Sequence, residues 1–385
     1  MMKLCWILLV MCICKVKGEM CPLDCECSFE NADCSSKNLT VIQKKTIDKF
    51  VNFRELNLEN NSISYLDLDT FFSLTNVSYL YLGQNVLSDL PEKLFSTLHE
   101  LQTKLETLWL QGNKIQTLPS EIFYPLKNLN ELILRNNRIK YLDNRLFTKL
   151  KSLELLALAN NQIQQIRKDD FSGLAILKNL TLNSNNINSI EDKSFSETPQ
   201  LQFLWMDDNQ LEHITDNTFF GIPFLKAVTL HKNKIRKINE NAFSMLINLK
   251  QLFLEGNKLA SLESNLFKCQ SKLELLELQD NKIVYLKPEL FKPLKNLKIL
   301  TVSGNPLTCD CELWETWHWW HSHNLKPQAT CQIPDKNQVD NVQDQIVNLN
   351  CKLSSKGIKI KHTAASCIVL ETIIVLIFTF SVNQY

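Results

Sequence analysis

The chain has 385 residues, 44% of them hydrophobic, and a formal net charge of +1. That length and apolar content support a large core, while the even charge balance lacks the basic excess of a nucleic-acid binder. Only 8 glycines occur in the whole chain, which leaves little room for a Gly-rich phosphate-binding loop.

The N-terminal stretch "MMKLCWILLVMCICKVKG" has Lys3 followed by an apolar run from Leu4 to Cys14, with the small residues Val16 and Gly18 at the −3 and −1 positions of a cleavage site. Residues 1–18 therefore form a signal peptide. Of the 13 cysteines, Cys5, Cys12 and Cys14 fall in this leader. Eight of the others form two tight groups, Cys21, Cys25, Cys27 and Cys34 near the start and Cys309, Cys311, Cys331 and Cys351 near the end. Neither has the paired C-x-x-C spacing of a zinc ribbon, and an exported chain oxidises such groups to disulfides. Spacing alone leaves the pairing open. Cys269 and Cys367 have no partner nearby in sequence.

Between the two groups the pattern L-x-x-L-x-L-x-x-N-x-(L/I) recurs, with Asn at 61, 85, 113, 137, 161, 185, 209, 233, 257, 281 and 305. Every step is 24 residues except the 28 from Asn85 to Asn113, and a Phe lies 10 residues after each of the first ten Asn, from Phe71 to Phe291. A repeat of this length is one supersecondary unit that cannot bury its apolar face alone but can do so by stacking. Around Leu156-Ala157-Leu158, alternate residues point to opposite sides as in a short strand. Leu153, Leu156, Leu158 and Ile163 then face a shared core, which Phe171 fills from the convex side. A buried turn needs its backbone groups bonded, and an Asn amide supplies both donors and an acceptor. The four extra residues fall within 96–106, at a loop or short helical turn on the convex side.

These residues resemble the extracellular leucine-rich repeat proteins of the 24-residue subtype. The likeness covers roughly 53–307 and implies an α/β solenoid, a horseshoe with a concave parallel β-sheet between disulfide-bonded caps. It divides the chain into a signal peptide (1–18), an N-terminal cysteine-rich cap (19–52), eleven repeats (53–307), a C-terminal cap (308–352) and a tail (353–385). The stretch from Cys21 to Cys34 resembles the family's first cap, and Asn305-Pro306 followed by Cys309 and Cys311 resembles the opening of its second. By that resemblance the bridges are Cys21–Cys27, Cys25–Cys34, Cys309–Cys331 and Cys311–Cys351.

Six, four and two residues before each Asn lie the positions that the repeat leaves free, and they point to the concave face. Here stand two aromatic groups, Tyr79/Tyr81/Trp109 and Phe203/Trp205/Phe253, with Leu155 between them. Exposed large rings mark contact sites. Glu55, Glu59, Glu131, Asp207, Glu255 and Glu277 occupy the same columns against a single Arg135, whereas Lys114, Arg138, Lys234, Lys258 and Lys282 follow the Asn on one edge. An acidic, aromatic face favours a protein ligand with a basic patch. Ala157 and Ala159 are free positions too and are expected to face solvent. Glycosylation sequons occur at Asn38, Asn60, Asn76 and Asn179.

No nucleophile elbow or His-Glu-x-x-His pair appears. In "WETWHWWHSH", His318, His321 and His323 lack a local Cys, Asp or Glu set that would complete a metal site. Trp314, Trp317 and Trp320 are instead expected to cover the last repeat. After Cys351 comes a 16-residue apolar run, Cys367–Val382, interrupted by Glu371 and followed only by Asn383-Gln384-Tyr385. A spanning helix wants about 20 apolar residues with basic residues beyond them. Small residues near Ser355, a polar spacer and a terminal apolar stretch fit a glycolipid-anchor signal better, with Ser355 as attachment site; a short transmembrane helix or plain secretion are the alternatives. The expectation is a non-enzymatic surface receptor or adhesion molecule without cofactor, metal or nucleic acid. Its alternative is a soluble regulatory or inhibitory subunit of an extracellular enzyme.

Overall fold

The computed structural model describes residues 21–95, 104–333, 339–346 and 351. The leader, most of the inserted stretch at 96–106, and the tail with Ser355 lie outside the described residues.

Each repeat contributes one three-residue strand. After an antiparallel pair, β1 (Glu26–Cys27) and β2 (Asn31–Asp33), the strands run in parallel from β3 (Glu55–Asn57). They continue through β4 (Tyr79–Tyr81), β5 (Thr107–Trp109), β6 (Glu131–Ile133), β7 (Leu155–Ala157) and β8 (Asn179–Thr181). The last five are β9 (Phe203–Trp205), β10 (Ala227–Thr229), β11 (Gln251–Phe253), β12 (Leu275–Glu277) and β13 (Ile299–Thr301). All 13 form a single sheet in chain order. Corresponding residues pair, so that Leu132, Leu156, Leu180 and Leu204 make one buried row.

The strands are short because the Asn soon turns the chain. The residue before it takes a left-handed conformation, glycine at Gly112, Gly256 and Gly304 but also Gln84, Ser184 and Lys232. Asn161 shows what holds such a turn. Its Nδ2 donates to the carbonyls of Leu158 and Ala159 in its own coil, at 3.0 and 3.3 Å, and of Leu134 in the preceding one, at 3.0 Å. Its Oδ1 accepts from the backbone N–H of Ile139 at 3.0 Å. The same set recurs from Asn61, which reaches Cys34, Lys37 and Leu39 in the first cap, to Asn305. On the convex side the phenylalanines stack, with Phe71–Phe95 centroids 6.1 Å and Phe171–Phe195 centroids 5.7 Å apart.

The ends close this core. Disulfides join Cys21 to Cys27, Cys25 to Cys34, Cys309 to Cys331 and Cys311 to Cys351. Cys269 is buried and also disulfide-bonded. Helix α1 (Cys311–Ser322) is capped by Asp310, whose Oδ1 accepts from Leu313 N–H at 2.8 Å. Trp320 is fully buried against Phe291, centroids 5.6 Å apart, and so ends the phenylalanine stack. Trp314 and Trp317 pack on the core less completely, and Trp319, absent from the expected set, also stacks on Phe291 at 5.8 Å. The three histidines lie against these rings, His318 on Trp314, His321 on Trp317 and His323 on Trp319. Among the described residues no three His, Cys, Asp or Glu side chains converge as a metal group, and no helix is long and apolar enough to cross a membrane.

One convex position departs from its neighbours. Thr218 Oγ1 accepts from Thr215 N–H at 2.9 Å, and one repeat-pair earlier Asp170 Oδ2 does the same for Arg167 at 2.8 Å. Asp170 is 2% exposed, and its other carboxylate oxygen has no hydrogen bond. Burial pushes its carboxyl up to about 6.

Four substitutions bear on stability. Asn161→Ala should cost about 1–3 kcal/mol through orphaned backbone groups, and Leu158→Ala about 2–5 kcal/mol through a cavity. Asn161→Asp, which keeps the acceptor and loses the donors, should be no milder than Asn161→Ala; denaturant midpoints read all three. The raised Asp170 pKa favours the neutral acid in the folded state. Its stabilisation is complete below an unfolded pKa of about 4 and is lost as pH rises through about 6. Asp170→Thr, which copies the neighbouring turn, should therefore raise the urea midpoint more at pH 7 than at pH 5, and an equal rise at both would refute this.

Candidate ligand-binding face

In each strand the middle residue points into the core, and the outer two, with the residue two before the Asn, line the concave face. Tyr81 and Trp109, partners in register on β4 and β5, pack with centroids 4.6 Å apart and planes tilted by 52°. Trp109 Nε1 donates to Glu131 Oε1 at 2.9 Å. Desolvation pushes the Tyr81 hydroxyl up to about 12, with smaller contributions from Glu55, Tyr79, Glu131 and Glu59. Tyr79 turns instead to the edge where the chain enters the sheet. The Arg54 guanidinium lies 5.5 Å over its ring, and its hydroxyl donates to Glu106 at 3.5 Å.

Beside this pair, Glu59 Oε1 accepts from Gln111 Nε2 at 2.6 Å across the intervening strand. The bond passes over Gly83, where a Cβ would come 2.4 Å from Glu59 Oε1 and 2.6 Å from Gln111 Nε2. Burial raises the Glu59 carboxyl above its ordinary value, opposed by the Gln111 bond and by the charge of Arg135. Arg135 itself is exposed in the same column.

The second aromatic group is not one cluster. Phe203 and Trp205 stack on β9 with centroids 5.8 Å apart, but Phe253 stands two strands on with Thr229 between them in register. Two strand spacings are about 9.6 Å, beyond ring contact, and the partner of Phe253 is His231 at 6.5 Å. Asp207 joins the halves, accepting from Thr229 Oγ1 at 2.5 Å and lying 3.6 Å from His231 Nε2. His231 is missing from the expected residues although it stands two before Asn233, so the repeat pattern does place it on this face. Farther along, Glu255 Oε2 accepts from Gln279 at 2.8 Å.

Leu155 is half-buried between the two groups, next to Asn179 in register. The expectation that Ala157 and Ala159 face solvent is overturned, because they are only 6% and 7% exposed. Both are concave, but larger side chains on neighbouring coils shield a methyl group. Lys114, Arg138, Lys258 and Lys282 are exposed on the edge, and Lys234 is half-buried, donating to Gln210 at 3.2 Å. Of the sequon residues, Asn38 and Asn60 are exposed, Asn179 is half-buried on β8, and the Asn76 amide donates to the Val51 carbonyl at 3.2 Å.

Six overlapping segments, 34–87, 51–103, 103–163, 151–211, 204–259 and 247–307, match the pattern described as Leucine rich repeat. The chain belongs to the leucine-rich repeat family. Its repeats are similar to those of podocan of Mus musculus, 32% identical over 100 residues, covering 26% of this chain and 15% of podocan. Keratocan of Danio rerio is 29% identical over 139 residues, covering 30% of this chain and 38% of keratocan. The match thus spans well under half the length of either relative. Among solved structures, a chain of the octameric complex of latrophilin 3, Unc5D and the leucine-rich repeat region of FLRT2 is 26% identical, with a TM-score of 0.69 over 87% of this chain and 99% of that one. A leucine-rich repeat protein of Leptospira interrogans is 28% identical, with a TM-score of 0.62 over 75% and 69%.

In a leucine-rich repeat a free-position glycine is dispensable for the fold. Gly83 keeps an ordinary backbone, and the atoms nearest its absent Cβ are ends of flexible side chains. Gly83→Ala should therefore stay within about 1 kcal/mol of the parent in a denaturant melt while separating Glu59 from Gln111, seen as a shift of the Gln111 side-chain amide resonances.

Proposed function

We propose that this chain is a non-enzymatic extracellular binding protein, acting as a receptor, co-receptor or adhesion molecule, that holds a protein ligand on its concave face. The observation that carries the reading is the placement of Tyr81/Trp109 and Phe203/Trp205 at positions the repeat leaves free, where the core needs no aromatic ring. Buried rings within an interface are the usual energetic anchors of protein association. A 26% identical chain found within a complex of protein partners supports the same use of the fold. The cap disulfides favour an oxidising compartment. The ligand presents a basic patch, since the concave columns are predominantly acidic. Attachment is through a glycolipid at Ser355, and the domain limits and the sequons at Asn38, Asn60 and Asn76 are those set out from the sequence; Asn179, in register with Phe203 on the binding face, stays unglycosylated.

Two measurements test this. Phosphoinositide-specific phospholipase C should release the protein from expressing cells; recovery in the medium without enzyme would favour the soluble regulatory subunit instead. The paired change Gln251→Asn with Phe253→Thr writes on β11 the same Asn-Leu-Thr that β8 carries at 179–181. A glycan there should abolish binding of the protein to ligand-bearing cells, whereas Trp205→Ala should weaken it by about 2 kcal/mol or more without lowering the melting temperature. Undiminished binding by the glycosylated variant would exclude the Phe203/Trp205 half of the concave face.

A further inference from the structure

Resting on the concave-face reading, we infer that the surface patch formed by Tyr81, Trp109, Glu55, Glu59, Glu131 and Gln111 is a receptor site for one cationic side chain of the ligand, an arginine. The chemistry of the patch is one-sided. It holds two packed ring faces and three carboxylates, and the only Lys or Arg in the concave columns is Arg135. Glu55 makes no hydrogen bond or ion pair to another side chain among the described residues. Gln111 is 7% exposed, and with its Nε2 given to Glu59 its amide oxygen is buried without a donor. Acceptors therefore outnumber donors at a place partly withdrawn from water, where an unpaired acceptor is costly.

A guanidinium answers each of these features. Its plane stacks on an aromatic ring, its five N–H groups serve several acceptors at once, and its weak hydration suits a half-buried site. The chain uses the same contact one residue column away, where Arg54 lies over Tyr79 at 5.5 Å. An ammonium has the charge but not the plane, which ranks lysine second. Gly83 lets two of these groups meet: a Cβ there would come 2.4 Å from Glu59 Oε1 and 2.6 Å from Gln111 Nε2.

The probe is a blocked Gly-Arg-Gly peptide titrated into the intact protein carrying nitrogen-labelled tryptophan. The Trp109 indole N–H, bonded to Glu131, is identified by its loss in Trp109→Phe. The arginine peptide should move that resonance saturably, the lysine peptide more weakly, and the citrulline peptide, which keeps the shape and lacks the charge, not at all. Glu59→Gln with Glu131→Gln should weaken the arginine peptide about tenfold or more while leaving the Trp205 resonance in place as a folding control. Equal binding of citrulline, or shifts confined to Trp205 and the cap indoles, would overturn the assignment. On cells, loss of binding in the β11 glycan variant with full binding in the double Gln variant would reject the arginine site and leave the concave-face reading standing. No effect of either the glycan or Trp109→Ala would reject that reading, and the peptide titration would still decide the arginine site by itself.

Discussion

The fold depends on one amide. An Asn side chain at the turn of each coil ties its own carbonyls to those of the preceding coil and accepts an N–H from it, so that two neighbouring turns are satisfied by one buried group. A buried turn without such a partner would leave backbone groups unpaired, at a cost of about 1–3 kcal/mol for the turn. Because the bonds run between coils, they also set the phase. The Asn fixes where the turn falls, the turn fixes which strand residue points inward, and the parallel register then aligns the leucines into one row. At the first cap the same amide, Asn61, bonds to Cys34, Lys37 and Leu39 and splices a disulfide-bonded segment of different sequence into the ladder. At the other end Asn305 is the last Asn of the ladder among the described residues, and the closing element is of a different kind: Trp320 against Phe291 and Thr316 Oγ1 donating to the Leu286 carbonyl at 2.6 Å.

This division of labour explains why so much of the fold was legible. The core positions, the strand phase and the phenylalanine stack each depend on a residue type repeated at a fixed interval, and repetition is visible in a sequence. The cap disulfides are not periodic, and their pairing came only through family resemblance. The concave face was legible as a set of columns but not as a set of contacts. Whether Ala157 is exposed depends on the size of side chains a whole coil away, and the grouping of Phe253 with Trp205 overlooked the intervening Thr229. Gly83 carried no signal at all, since its role appears only when Glu59 and Gln111 are seen to meet above it. His231 could have been found by counting back from Asn233.

Asp170 shows the limit of reading a repeat by its consensus. The turn it closes asks only for an acceptor, which Thr218 supplies elsewhere with a hydroxyl. A carboxylate meets the same geometric demand and adds a buried charge with one oxygen unbonded. The pattern records the acceptor and is silent about the charge, so one pH-dependent contribution to the stability of the solenoid resides in a residue that fits its position.

The charges on the concave face follow from the same separation of tasks. Since the ladder satisfies the backbone, the free positions are not needed to close the turns, and carboxylates can gather there at little cost to the core. Across the exposed rim such charges are neutralised in pairs, as with Lys178 and Glu154 or Lys298 and Glu274. On the N-terminal half of the concave face they are not: Glu59 meets an amide, Glu131 an indole, and Glu55 no side chain among the described residues. Neutral donors hold these carboxylates in place without cancelling them. The surface therefore keeps a directed negative field beside two aromatic faces, which is the arrangement that a solvated salt-bridge network would have removed. What distinguishes the N-terminal half of this face is thus not how many charges it bears but that the side chains hydrogen-bonded to Glu59 and Glu131 are uncharged.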